Sequence, residues 1–156
     1  MKKFLLTVMS LVLVSAACYA DDKQDAMKFF DNYVNEANNY NTSITKMYAP
    51  NAKIIRQVVK PDGTTVDVYT DTKTYIYQMK IGQAGAKLRH YTNSYTDRKI
   101  TKLGDKKYKI SSLRQPSGEK YKLKAYMVVQ KQSDGKWIIV EELLQTKEQI
   151  FLKYAK

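Results

Sequence analysis

The chain has 156 residues, 44% of them hydrophobic, and a formal net charge of +12. That length is one domain's worth and enough to bury a core. With one histidine and one cysteine it cannot assemble a zinc site of the usual nitrogen and sulfur type within one chain; it also has no phosphate-cradling glycine loop and no nucleophile elbow, so neither a metal nor a cofactor is expected.

The first residues read MKKFLLTVMSLVLVSAACYADD. Lys2 and Lys3 start an apolar stretch, Phe4 to Val14, broken only by Thr7 and Ser10; small residues and then Asp21 and Asp22 follow. This order predicts a secretory signal peptide over 1–20, too short to span a bilayer, with cleavage after Ala20. Lipoprotein processing at Cys18 is the alternative, although Ser15 stands where a lipobox usually has leucine. The remaining domain, 21–156, contains no cysteine. A periplasmic or secreted chain without disulfides must be held by hydrophobic packing alone. No later segment is apolar for long enough to cross a membrane.

Ala26, Phe29, Phe30, Tyr33, Val34, Ala37 and Tyr40 recur at helical spacing and predict a helix over 23–40, with Asp22 and Asp25 favourable near its start. A short helix over 44–48 stops at Pro50. AKIIRQVV and TTVDVY, joined by the turn PDG at 61–63, predict a β-hairpin. Asp71 or Thr72 can cap a helix carrying Tyr75, Ile76 and Met79, with Gly82 and Gly85 weakening its end. Strands should follow: a long, bent one from Leu88, one over 106–113, one alternating from Lys120 to Gln130, and WIIVEELL after the turn SDGK. The fold class is α+β, a curved antiparallel sheet wrapped around N-terminal helices.

Three pieces carry a family resemblance: the first helix ending in FFDNYVNEANNYN, the short helix with YAPNAKI running into a strand, and the closing hairpin DGKWIIVEE. In this order they resemble the nuclear-transport-factor-2-like superfamily, which includes polyketide-cyclase-like and ketosteroid-isomerase-like proteins. The resemblance covers about 23 to 146. It implies a cone whose sheet and helices enclose a pocket, in a superfamily of enzymes, ligand binders and dimerisation modules; fold alone leaves function open.

Its enzymes use a pocket Asp or His base. His90, in KLRHYTNSY, is the single histidine, expected on a strand as either a proton carrier or a partly exposed structural residue. Asp67 is the acid inside TTVDVY and suits a cross-strand partner for a lysine better than a base. One of Glu141 and Glu142 should face the core whichever way their strand lies; the Trp-x-Ile pattern selects Glu141 by resemblance, and a bulge near the turn would reverse the choice. A buried carboxylate must be paired or have a raised pKa, and Arg56, between Ile54 and Val58, is a candidate partner. Thirteen tyrosines against four phenylalanines suggest a tyrosine-rich cavity, with Tyr91 among its ligand-binding residues, or simply strand-forming tyrosines.

The charge is uneven. Residues 87–136 carry 14 Lys and Arg against 4 Asp and Glu, whereas 21–86 and 137–156 each balance to zero. Lys107, Lys109, Lys120, Lys122 and Lys124 alternate with apolar neighbours and predict a basic outer face, either solvated or facing an anionic lipid or envelope polymer. Nucleic acid suits an exported chain with no recognition motif poorly. Three functions follow: a non-enzymatic module holding a small or lipid-like ligand or docking on an anionic envelope component, an isomerase- or cyclase-like enzyme using His90 or Glu141, and a structural subunit forming a homodimer.

Overall fold

A computed structural model describes residues 21–155; the segment expected to be a signal peptide, 1–20, lies outside them. Helix α1 occupies 21–38 and buries Ala26, Phe30 and Tyr33, one face of the apolar periodicity. Its end is fixed by backbone hydrogen bonds: Asn41 N–H donates to the Glu36 carbonyl at 2.9 Å and Tyr40 N–H to Ala37 at 3.1 Å, with Tyr40 at φ 59°. This pair closes a Schellman-type cap, so Tyr40 belongs to the cap rather than to the helical stripe. A 3-10 turn, Thr42–Met47, then leads into β1, Tyr48–Val59. Pro50 does not stop this strand, because it falls where the β1 register shifts between Tyr48 and Lys53 and a missing N–H is tolerated.

The turn at Pro61, Asp62 and Gly63 joins β1 to β2, Thr65–Thr70, as its sequence predicts. Gly63 sits at φ +84° and Asp62 accepts from the Thr64 amide at 2.9 Å. Helix α2, Thr72–Leu88, begins at Asp71, whose carboxylate accepts from the Thr74 amide at 2.9 Å. Gly82 and Gly85 stay within the helix. Its end repeats the α1 cap, with Tyr91 N–H on the Ala86 carbonyl at 2.9 Å, His90 N–H on Lys87 at 3.1 Å, and His90 at φ 51°. The following strand, β3, therefore starts at Asn93 and not at Leu88.

β3 (Asn93–Gly104), β4 (Lys107–Pro116), β5 (Leu123–Lys131) and β6 (Trp137–Thr146) complete a six-stranded sheet of order β2-β1-β6-β5-β4-β3. Its pairings are antiparallel except that β1 and β6 run parallel. Chain ends distant in sequence thus meet at the sheet's centre. The curved sheet is unclosed. Ala26, Phe30 and Tyr33 of α1 join Ile54, Tyr108, Ile110, Met127, Val129 and Ile139 of the sheet in one core. Arg98 pairs with Asp31 midway along α1, and Lys131 with Asp22 at 2.7 Å at its start. The closing segment after β6 ends in a second 3-10 turn, Gln149–Tyr154.

A bulge in β6 decides which glutamate faces this core. Val129 pairs with Ile139, but the next residue back, Val128, pairs with Glu141, so Val140 is an extra residue. Ile139 points inward, and beyond the bulge the inward positions become Glu142 and Leu144. Glu142 is 1% exposed, whereas Glu141 lies on the outer face and accepts from Tyr126 at 2.5 Å. The inward placement of Glu141 expected from the Trp-x-Ile pattern is corrected to Glu142.

Candidate functional site

Three strands each send one charged side chain to the inner face. On β4 the alternation that buries Tyr108 and Ile110 also carries Ser112 and Arg114 inward. On β1, Ile54, Arg56 and Val58 share that face; on β6 the bulge brings in Glu142.

Glu142 sits in a cage of phenols. Tyr33 from α1 donates to its carboxylate at 3.4 Å, Tyr75 from α2 at 3.5 Å, and Tyr48 from the start of β1 also donates. The Tyr33 and Tyr48 hydroxyls are 3.1 Å apart. Burial raises the Glu142 pKa; hydrogen bonds from the tyrosines and the field of Arg56 oppose that rise. Burial, and next the nearby carboxylate, push the Tyr33 and Tyr48 phenols well above their ordinary value, and Tyr75 likewise. The phenols therefore remain donors, and one carboxylate ties two helices to the central strand.

Beside this cage lies a cavity of about 360 Å³, bounded by α1, α2, the inner sheet face and the closing segment. Tyr33 and Tyr75 stand in its wall and separate Glu142 from the space. Ile44, Met79, Leu144 and Phe151 supply apolar surface; Asn38, Gln83, Asn93 and Gln145 supply amides. Arg56 and Arg114 supply positive charge, and Glu148 is the carboxylate in the lining. Arg114 is 7% exposed and donates to the Tyr91 hydroxyl at 3.2 Å, Asn93 Oδ1 at 2.8 Å and the Gln145 carbonyl at 2.6 Å, while its Nε has no partner. Arg56 stacks on Phe151, 4.1 Å from the ring centroid. Among the described residues no carboxylate lies within ion-pair distance of either guanidinium. Asn38 and Asn93 exchange two hydrogen bonds of 2.9 Å and lock the end of α1 to the start of β3. A second groove of about 540 Å³, containing Arg89, Ser117 and Tyr121, shares Tyr91, Arg114, Thr146 and Glu148 with the cavity.

The expected site residues separate. Arg56 and Tyr91 line the cavity. His90 is an exposed helix cap outside its lining, because the left-handed cap conformation turns the chain before the strand begins. Glu141 is on the opposite face of the sheet. Lys107, Lys109 and Lys124 do share the outer face, with Lys109 3.8 Å from the Tyr126 ring centroid. Lys120 and Lys122 precede β5 and belong to a connection, where Lys122 donates to Thr96 at 3.1 Å. The row of five lysines is thus split between a sheet face and a loop. Tyr75, Tyr91 and Tyr95 line the cavity and Tyr121 the groove, but Tyr77 projects to solvent, Tyr108 fills the core and Tyr126 lies on the outer face. Sequence reasoning missed Arg114, although extending the Tyr108 and Ile110 alternation by four residues reaches it. Nothing local signalled the convergence of Tyr33, Tyr48 and Tyr75 on Glu142, which comes from four separate elements.

No family profile matches the sequence, and no curated protein matches it. Solved structures do. A nuclear-transport-factor-2-like protein of unknown function from Shewanella oneidensis has a TM-score of 0.57 at 13% identity, covering 79% of this chain and 98% of that one. A protein of unknown function of the DUF3225 family from Pectobacterium atrosepticum has a TM-score of 0.59 at 15% identity, covering 81% and 91%. The chain has the nuclear-transport-factor-2-like fold. A proposed ketosteroid isomerase from Shewanella frigidimarina shares this fold, with a TM-score of 0.52 at 19% identity over 78% of this chain and 93% of that one. Within a nuclear-transport-factor-2-like cone, the cavity described here occupies the space between helices and sheet. Likeness at these identities establishes architecture; the chemistry has to be argued from the side chains. Among the described residues no helix is long and apolar enough to cross a membrane.

Proposed function

We propose that the chain is an exported, non-enzymatic binding module whose cone holds a small organic anion: an acidic head against Arg114 and Arg56, and an apolar body against Ile44, Met79 and Phe151. Arg114 carries this reading. A guanidinium buried to this degree, compensated by a phenol, an amide and a backbone carbonyl but by no carboxylate, leaves positive potential inside a concave wall. Arginine's planar fork matches a carboxylate or a comparable oxyanion. The volume falls at the small end of the range for ligand pockets, and a mostly apolar wall with a few convergent polar groups is their usual composition. Export rests on the leader-like residues 1–20.

The lining favours holding a charge over moving a proton. Arginine stays protonated at any working pH, and burial moves the phenols of Tyr33 and Tyr75 further from ionisation. Glu142, the buried carboxylate, is screened from the cavity by those phenols, and His90 is outside the lining. An isomerase-like reading would require one of them to reach the ligand, or Glu148, the carboxylate at the edge shared with the groove, to serve as base.

Thermal-shift and calorimetric titration with aliphatic and aromatic carboxylates, each beside its primary amide, tests the proposal. Acids should bind and raise the melting temperature; amides should not. Arg56→Gln and Arg114→Gln should each weaken acid binding by roughly ten- to a hundredfold, the worth of a charge-assisted hydrogen bond. Equal binding of acid and amide, or full affinity in both variants, would reject it.

A further inference from the structure

The side of α2 facing away from the cavity is unusually apolar for a surface. Met79, Gly82, Gln83 and Ala86 face the cavity. On the opposite side Tyr77, Ile81 and Leu88 are 65%, 61% and 83% exposed, and the exposed Ala84 continues their line. Positions 77, 81, 84 and 88 are spaced by four, three and four, so they form one stripe along about 16 Å of the helix. Lys73, Lys80 and Lys87 recur every seven residues and form an exposed row along the stripe's edge. They are the charged residues of Thr72–Leu88, and Arg89 extends the same sign past its end. No acid interrupts the face.

We infer that this face of α2 docks the protein on an anionic lipid bilayer, with Tyr77, Ile81 and Leu88 entering the interface and Lys73, Lys80 and Lys87 meeting the head groups. Two comparisons within the molecule favour this occupant. A second copy paired through the same stripe would bring lysine rows toward each other or toward the Thr74 and Gln78 side, whose one carboxylate, Asp71, sits at the helix start and is already engaged with the Thr74 amide. The outer sheet face, the other basic surface, contains the acids Glu141 and Asp67, and its apolar residues Ile55 and Val128 are each only 4% exposed. A single convex helix with projecting side chains suits a fluid interface, where lysine stems can lie along apolar surface while their heads reach phosphate. Its lysines gain most at low ionic strength. The inference is independent of what the cavity holds. It also places the cavity wall formed by Met79, Gln83 and Ala86 one helix diameter from the lipid surface.

Co-sedimentation of protein purified after expression of the full sequence, with phosphatidylcholine vesicles lacking or containing phosphatidylglycerol, tests this. Binding should require phosphatidylglycerol and weaken as salt rises. Lys73→Gln, Lys80→Gln and Lys87→Gln combined should lower partitioning at least about tenfold. Ile81→Ser with Leu88→Ser should lower it by a similar factor. These side chains are exposed, so circular dichroism should show both variants folded. Combined Lys107→Gln, Lys109→Gln and Lys124→Gln should leave partitioning unchanged. The inference fails if the protein does not bind, if it binds phosphatidylcholine alone equally well, if both α2 variants bind like the wild type, or if only the sheet variant loses binding. It also fails if Ile81→Ser with Leu88→Ser abolishes a dimer seen by analytical ultracentrifugation without affecting vesicle binding, which would assign the stripe to a second copy.

Discussion

Glu142 shows how one residue can be costly and organising at once. A carboxylate 1% exposed loses its hydration, and three phenols from three other elements replace part of it. Its raised pKa has a definite consequence. The folded state holds the Glu142 proton to a higher pH than the unfolded chain, whose glutamate ionises near 4.5, so this group's contribution to stability falls as pH rises from there through the folded pKa. Glu142→Gln keeps an acceptor for the phenols and removes the titration. Urea midpoints should therefore show wild type losing stability relative to Glu142→Gln as pH rises from about 4 toward neutrality. A constant difference between the two proteins would refute this account of the cage. The choice between Glu141 and Glu142 was partly legible in sequence: two adjacent glutamates in an apolar strand require one to face inward. Which one does so turns on Val140, a bulge residue without a local signature.

At the scale of elements, local chemistry fixed helix starts better than helix ends. Asp71 caps α2 as its residue type predicts, and Asp71→Ala should cost about 1 kcal/mol by urea denaturation, with the same m-value. A cost near zero would mean that solvent or Thr72 replaces the cap. The ends were less legible because Tyr40 and His90 occupy left-handed positions that glycine usually fills. Each apolar or aromatic pattern runs past its helix into the cap. That is why the sequence places His90 on a strand, in a pocket or partly exposed, and why the strand expected from Leu88 begins only at Asn93. Pro50 misled in the opposite direction: a shifted register lets β1 pass through it. β5 likewise begins only at Leu123, which removes Lys120 and Lys122 from the predicted sheet face.

For the whole molecule, stability rests on packing between elements remote in sequence. Residues 21–155 contain no cysteine, and the parallel pairing of β1 with β6 joins residue 48 to 139 and 58 to 146. Ile139 is fully buried on β6, between β1 and β5. Ile139→Ala should cost about 2–5 kcal/mol by chemical denaturation, a large part of a domain's usual stability. A loss under about 1 kcal/mol would mean that the centre of the sheet can collapse around the missing atoms. The same long-range pairing assembles the site: Arg56, Arg114, Tyr33 and Gln145 meet only after the sheet has closed over the helices.

What the sequence determined by itself was the alternation that sorts side chains between faces, the turn at 61–63, the Asp71 cap, the order of helices and strands, and the concentration of charge over 87–136. These follow from backbone periods and local hydrogen bonding, which short stretches of chain can specify. The tertiary structure alone decided the strand order with its parallel β1–β6 pair, the bulge that turns Glu142 inward, and the meeting of two arginines with no carboxylate ion-paired to either. Register and convergence depend on which distant surfaces bury each other, and that free energy exists only once the whole sheet is packed.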